Sequence, residues 1–223
     1  ISTDKAVNPS SLLGISKRVM ELNLMKIKKK KPSLFVSTTR FANVSFSNGS
    51  ILKLIVDRLS FKKNFGIPNN ISRYFITHEE AVSLCLKSLL KENDGHIIIP
   101  NQKILGKQIS IEKLLYKILK LLRVKFLKKK GLIRVFNSSN ISLIPIKIIG
   151  QKRNEELSFN DEILNNVKND HSIFKIKLNI NKFSKIDKDL KKINKNNFLR
   201  LSKSKVLQKY AKNNKGNKIS YQL

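Results

Sequence analysis

The stretch STDKAVNPSSLLGISKRVME, residues 2–21, decides how the chain reads. Residues 1–5 have the composition of a strand end. Asn8, Pro9 and Ser10 follow, and such residues open helices because the missing N–H of proline costs nothing in a first turn. Leu12, Leu13, Val19, Met20 and Leu24 give the helix its apolar character. It ends in the basic run 26–31 before Pro32, where positive charge suits a helix C-terminus. Asp4 and Lys5 stand side by side at the strand end. An acid beside an amine supplies a proton donor and a base when burial tunes both. On an open surface the same two residues are an ordinary ion pair.

Working outward, residues 34–41 are apolar and β-branched, the pattern of a buried strand. A loop with Ser47, Asn48 and Gly49 leads to Ser50, which opens a helix to about residue 62. Gly66, Pro68, Asn69 and Asn70 signal turns, and residues 73–76 read as a short extended segment. Thr77 with Glu80 three residues on forms a capping box. The helix it starts is expected to turn Ala81, Leu84, Cys85 and Leu89 inward, with Cys85 as core rather than nucleophile. A strand at 97–99, a helix from Ser110 to about residue 122, and strands at 132–136 and 143–149 complete the compact part. From about residue 181 lysine and asparagine dominate, which predicts a poorly packed tail.

The alternation of strand and helix argues for an α/β chain with parallel pairing. No G-x-G-x-x-G occurs anywhere, so the doubly wound sheet reads as incomplete.

The length, 223 residues, suits one domain, and 40% apolar with 27% charged residues is a globular composition. One cysteine, Cys85, makes no internal disulfide, and neither it nor His78, His96 and His171 shows metal-ligand spacing. A reducing cytoplasm fits. No apolar run nears the roughly 18 residues of a membrane-spanning helix. The chain opens on Ile1 without a signal sequence, which reads as a break inside a longer frame.

The net charge is +31, from 46 Lys+Arg against 15 Asp+Glu. Such a balance attracts phosphate backbones, and a basic nucleic-acid-binding protein is the alternative function. Yet the charge is mostly lysine mixed with isoleucine and asparagine, which an AT-rich coding bias produces unaided. Base-stacking aromatics, zinc-finger spacing and a recognition helix are all missing from the sequence. A solvated lysine surface is the preferred reading, with no specific nucleic acid and no metal.

Three ordered segments carry a family resemblance. Residues 2–18 fit S-T-D-K-A-x-N-P-x-x-x-x-G-x-[ST]-K-R. Arg40, Phe41, Ala42, Asn43, Val44, Ser47, Asn48, Gly49 and Ser50 fit R-[FY]-[AG]-N-V-x-x-S-x-G-S. Ser72, Arg73, Tyr74, Phe75, Ile76 and Thr77 fit T-R-[FY]-[FW]-[IMV]-T with serine for the first threonine. In order and spacing they resemble the UDP-N-acetylglucosamine 4,6-dehydratase, or CapD-like polysaccharide biosynthesis, family of extended short-chain dehydrogenases. A weaker match, residues 147–157, resembles I-x-x-G-x-R-P-G-E-K-L, with Lys152 in the place of the family arginine and Glu155 as its glutamate.

The resemblance implies an incomplete Rossmann-like parallel sheet with a small C-terminal α/β substrate portion. Residues 1–62 would end the dinucleotide-binding fold, residues 63–157 bind substrate, and residues 158–223 form the tail. It implies a lyase that builds surface glycans from a nucleotide sugar with NADP or NAD, a homo-oligomer at full length, and inactive as this segment alone. Lys5 would be the base at C5, Asp4 would protonate the departing C6 hydroxyl, and Thr3 would polarise the C4 oxygen. Lys17 would hold the nicotinamide ribose, and Ser2, Val44, Ser45 and Ser47 would approach the cofactor. Asn43, Arg73, Lys152 and Glu155 would face the substrate. Many short-chain dehydrogenases place tyrosine four residues before that lysine; here the position is Leu13. Some dehydratases of the family carry methionine there, so the C4 base stays open.

Overall fold

The computed structural model describes residues 1–129, 131–136, 140–144, 153–159, 162–167 and 170–178. Its first strand, β1 (Ser2–Thr3), runs straight into a 3-10 turn at Asp4–Ala6, closed by Val7 N–H donating to the Asp4 carbonyl at 3.1 Å. Asp4 and Lys5 therefore sit on a tight turn rather than on an extended strand. Helix α1 (Leu12–Lys30) starts later than its Asn-Pro-Ser signal. Ser11 is its N-cap, its hydroxyl accepting from Gly14 N–H at 3.2 Å, because Asn8 takes a left-handed φ of 42° that no helix continues.

The next strand, β2 (Thr38–Phe41), is shorter than the apolar run 34–41. Leu34 and Phe35 stay exposed, since the ladder to the neighbouring strand begins only at Thr38. Then come β3 (Asn43–Val44), α2 (Ile51–Ser60) capped by Ser50, and β4 (Phe65–Pro68). Gly66 and Pro68 signalled a turn there; the strand tolerates them because it is an edge strand. Short strands β5 (Ser72–Arg73) and β6 (Phe75–Ile76) lead into α3 (His78–Ser88), whose Thr77/Glu80 capping box is complete. Ala81 and Leu84 are buried as expected. Leu89 is 68% exposed because it lies past the last turn, and Cys85 is half-buried.

The remaining elements are β7 (Ile97–Pro100), α4 (Gln102–Leu105), β8 (Ile109–Ser110), α5 (Ile111–Leu121), β9 (Phe126–Lys129), β10 (Leu132–Val135), β11 (Asn140–Ile144), β12 (Leu164–Val167) and β13 (Asp170–Ile176). The central sheet has the order β1-β2-β7-β13-β12. It is parallel over β1, β2 and β7, then antiparallel where β13 and β12 join.

The isoleucines of β7 explain the layering. Ile97 and Ile99 pack on one face with Ile15, Val19, Leu22 and Met25 of α1; Ile98 packs on the other with Ala81 and Leu84 of α3. Alternate side chains point to opposite faces, so a strand covered on both sides reads as one apolar run. Each such side chain contributes roughly 1.5–3 kcal/mol on burial. A second layer stacks α2 and α5 on the sheet β4-β11-β10-β9.

Within the tail expected from residue 158, several of the described residues, 159, 162–167 and 170–178, are packed. Phe159, Val167, Ile173, Ile176 and Leu178 are buried, and β13 pairs with β7. Val167 and Ile173 pack on one side of the sheet and Ile176 and Leu178 on the other, so no simple alternation in the sequence announces them. The expected strand residues 145–149, Lys152 and the segment 179–223 lie outside the described residues.

Gly14 joins the turn to α1. A Cβ there would lie 2.2 Å from the Lys5 carbonyl oxygen and 3.1 Å from Pro9 Cβ. In an open helix Gly→Ala stabilises by up to about 1 kcal/mol. Here the contact reverses the sign: Gly14→Ala is expected to lower unfolding free energy by about 1–3 kcal/mol, as overpacking does, and to displace the Lys5 backbone. A urea titration that finds the variant more stable contradicts this packing.

Candidate active site

The parallel pairing Ser2↔Arg40 and Thr3↔Phe41 fixes the Asp4–Lys5 turn beside Ala42 and Asn43. Behind the turn, α3 stands against β2. Between them is a cavity of about 510 Å³. Ser2, Thr3, Asp4, Lys5, Asn43, Ser47 and His78 give it polar groups; Phe41, Ala42, Val44, Ala81, Val82, Cys85 and Leu86 give it a largely apolar wall.

Asp4 is 3% exposed, and its Oδ1 accepts from Thr3 Oγ1 at 2.5 Å and from Lys5 Nζ at 3.4 Å. The Lys5 side chain is 45% exposed, so the amine can turn from Asp4 towards a molecule in the cavity. Asn43 Nδ2 donates to the Tyr74 carbonyl at 2.9 Å and to Glu155 Oε2 at 2.7 Å. Glu155 Oε1 lies 3.0 Å from Arg73 Nε. Burial foremost, then the charge of Asp4 and a hydrogen bond with it, push the Glu155 carboxyl up to about 7, against Asn43 and Arg73. For Arg73 burial outweighs the attraction of Glu155 and Asp4, and its pKa is lowered.

Of the residues expected in the site, Ser2, Thr3, Asp4, Lys5, Asn43, Val44 and Ser47 line the cavity together. Arg73 and Glu155 sit behind Asn43 rather than on the cavity wall. Ser45 N–H is bonded to the Ile76 carbonyl at 2.9 Å. Lys17 Nζ donates to the Ile1 carbonyl at 3.1 Å, next to Ser2 but off the wall. Lys152 lies outside the described residues. His78 and Cys85 on the wall were not anticipated as site residues; a lone histidine at a helix start carries no spacing that announces a cavity.

A second buried cluster lies directly beneath. Arg40 donates from Nε to Glu21 Oε1 at 2.8 Å and from Nη2 to Glu21 Oε2 at 2.8 Å. Its Nη1 reaches Glu162 Oε2 at 2.7 Å and the Leu157 carbonyl at 2.9 Å. Ser2 Oγ donates to Glu21 at 2.6 Å, and Arg18 touches both glutamates at 3.2 Å. The Phe159 ring lies under both guanidinium groups, 4.3 Å from Arg18 and 5.7 Å from Arg40. Burial opposes the Arg40 charge, yet Glu21 and Glu162 outweigh it and raise its pKa. Sequence reasoning missed Glu21 and Glu162 because partners so distant along the chain leave no periodic trace.

A partly parallel sheet with helices on both faces, and a cavity at the turn that follows its first strand, make a Rossmann-like α/β fold. Pen from Bacillus thuringiensis shares it at a TM-score of 0.61 and 22% identity, covering 80% of this chain and 51% of that one. DesIV, a dTDP-glucose 4,6-dehydratase from Streptomyces venezuelae with NAD bound, shares it at 0.53 and 15% identity, over 70% of this chain and 49% of that one. The profile of the family described as "Polysaccharide biosynthesis protein" matches residues 1–178, and the chain belongs to that family. The capsular polysaccharide biosynthesis protein CapD of Staphylococcus aureus is 30% identical over 112 residues, 50% of this chain and 18% of CapD. The chain spans well under two thirds of these relatives' length. Among the described residues no helix is long and apolar enough to cross a membrane.

Removing one member of a buried ion cluster strands the others. Arg40→Met is expected to cost about 3–5 kcal/mol, read from the urea midpoint. A loss below about 1 kcal/mol relative to wild type would show that the cluster carries little. Glu162 makes the cluster acid-sensitive. Burial raises its pKa, but hydrogen bonds and charge from Arg40 hold it below the ordinary 4.5. Its contribution is thus complete above 4.5 and lost as pH falls through the lower folded value. Acid titration of wild type and Glu162→Gln should show a steeper loss below 4.5 in wild type.

Proposed function

We propose that this chain is the sugar-side part of a nucleotide-sugar 4,6-dehydratase acting on a UDP-N-acetylamino sugar, with NADP or NAD supplied to the same cavity. The observation that carries it is the meeting of Thr3, Asp4, Lys5 and Asn43 in one cavity.

The residues present fit the nicotinamide end of the cofactor. A flat ring suits the apolar wall of Phe41, Ala42 and Val44, and Ser2 and Ser47 offer hydroxyls at its edge. The pyrophosphate needs a glycine-rich helix N-terminus, and these 223 residues contain no such turn. The cofactor, when bound, accepts a hydride and later returns it. The chain's own groups do the rest. Thr3 Oγ1 donates a hydrogen bond to the C4 oxygen when it turns from Asp4. With the proton of their ion pair passed from Lys5 to Asp4, the free Lys5 amine takes the C5 proton, and Asp4 gives its proton to the C6 oxygen as that oxygen departs as water. Asn43, fixed by Tyr74 and Glu155, holds the sugar against this pair. Leu13 is exposed and carries no proton, so the threonine hydroxyl is the polar group beside the C4 oxygen in this reading.

Titrating the chain with UDP-N-acetylglucosamine should shift the amide NMR signals of residues 2–5 and 43–47. In the protein carrying this chain with a glycine-rich dinucleotide-binding segment, Lys5→Met and Asp4→Asn should each lower C6-hydroxyl loss by about 10²–10⁴. Sugar nucleotide that shifts no cavity residue, or turnover indifferent to Lys5→Met, removes this reading.

A further inference from the structure

The end of the central sheet away from the reacting groups has a surface of its own. Asp4, Lys5 and Asn43 stand where β1 and β2 finish, whereas α1 finishes beside the start of β2, and the turn Lys91–Asn93 lies just before the start of β7. Asp94 gathers these pieces. Its Oδ2 accepts from Lys28 Nζ at 2.5 Å and its Oδ1 from Val36 N–H at 2.9 Å. Lys28 Nζ also donates to the carbonyls of Pro32, at 2.6 Å, and Leu34, at 2.9 Å, and so fixes the loop between α1 and β2. Lys175 Nζ reaches the Glu92 carbonyl at 2.7 Å, and Ile176 pairs with Ile97, which brings the end of β13 and Lys177 alongside.

Two kinds of side chain face out from this latched frame. Lys29, Lys30, Lys31, Lys91 and Lys177 are exposed. Among the described residues of segments 26–36, 89–96 and 175–178 the only acids are Glu92 and Asp94, and there is no arginine. In the same segments Leu34, Phe35, Leu89 and Leu90 are 40% to 68% exposed. One exposed apolar side chain means little. Four of them next to clustered lysines match the two attractions of an interfacial surface: apolar tips leave water, and lysine stems follow them while the ammonium groups stay among anionic headgroups. Duplex nucleic acid would meet the charges and leave the leucines and Phe35 without a partner. Phosphates read one by one call for the arginine fork, whereas a diffuse sheet of negative charge suits the point charge of lysine.

We propose that this end of the molecule docks on a lipid bilayer rich in anionic headgroups, with Leu34, Phe35, Leu89 and Leu90 entering the headgroup layer and the lysines around them meeting its charge. Because β1, β2 and β7 run in parallel from the lysines towards the Asp4–Lys5 turn, the docked chain keeps its reacting groups on the side away from the bilayer. The surface is independent of the dehydration reading.

The full chain is sedimented with vesicles of phosphatidylcholine, alone or with about 30% phosphatidylserine, in about 0.1 M salt. Binding to the anionic vesicles and not to the neutral ones is expected. Each lysine near such a surface changes affinity about fivefold, so the triple variant Lys29→Gln, Lys30→Gln, Lys31→Gln should bind about 100-fold more weakly. The chain contains no tryptophan, so Phe35→Trp supplies a single reporter, whose emission should move to the blue on binding and be quenched by lipids brominated in the acyl chain. Equal binding to both vesicles, binding indifferent to the three lysine changes, or an unmoved Phe35→Trp emission overturns the proposal. So does retention on mixed-sequence DNA that is tighter than on anionic vesicles and is lost with the same three lysines, since the surface then serves nucleic acid.

Discussion

The bidentate grip of Arg40 on Glu21, closed from the far side by Glu162, sets the position of nearly everything around the cavity. Arg40 belongs to β2, Glu21 to α1, and Glu162 to the segment leading into β12. One guanidinium thus ties a strand, a helix and a late loop. Ser2 also donates to Glu21, which aligns β1 and with it the turn bearing Asp4 and Lys5. The Leu157 carbonyl on Arg40 holds the chain two residues past Glu155. A buried guanidinium offers five donors in a rigid plane, and an unmet donor in low dielectric costs more than a met one gains. The cluster therefore acts as a geometric constraint: partial occupancy is worse than none, so the three elements seat together or not at all.

Much of the local structure was legible because it depends on neighbours in sequence. The Thr77/Glu80 box, Ser50 as a cap and the Ile97 strand are short-range chemistry, and all three appear where the pattern put them. Misreadings arose where distance mattered. Leu34 and Phe35 look like strand but have no partner opposite them in the ladder. Residues 164–167 and 170–176 look like tail, yet β13 extends a sheet whose strand β7 lies more than seventy residues earlier. The motif residues drew together Asp4, Lys5 and Asn43, and the structure brings those three to one cavity. Glu21 and Glu162 stayed silent because a side chain buried by an ion partner carries no hydropathy signature.

The cavity's two characters have one origin. The 3-10 turn ends β1 and lifts the Asp4 carboxyl off the sheet, while α3 presents Ala81, Val82 and Cys85 across the gap. A polar floor under an apolar wall leaves few waters able to satisfy both sides. Such a site strengthens the electrostatics of its charged groups once filled, because displaced water no longer screens them.

The large positive charge bears on this only by its absence from the interior. Among the described residues no lysine is buried, while Arg18 and Arg40 are, and Arg73 is half-buried. Lysine is a hydrated point charge on a flexible stem, and arginine a weakly hydrated fork that meets a carboxylate with two bonds. A coding drift towards lysine can therefore spread over the surface without entering the cluster: a lysine at Arg40 would bring three donors from one point to the five acceptors that the guanidinium meets. The acids follow the same logic. Asp4, Glu21, Glu155 and Glu162, four of the chain's 15 acidic residues, stand in these two adjoining clusters with arginine or Lys5 as partners. The charges that fix the fold and the site are the ones that are buried and mutually matched.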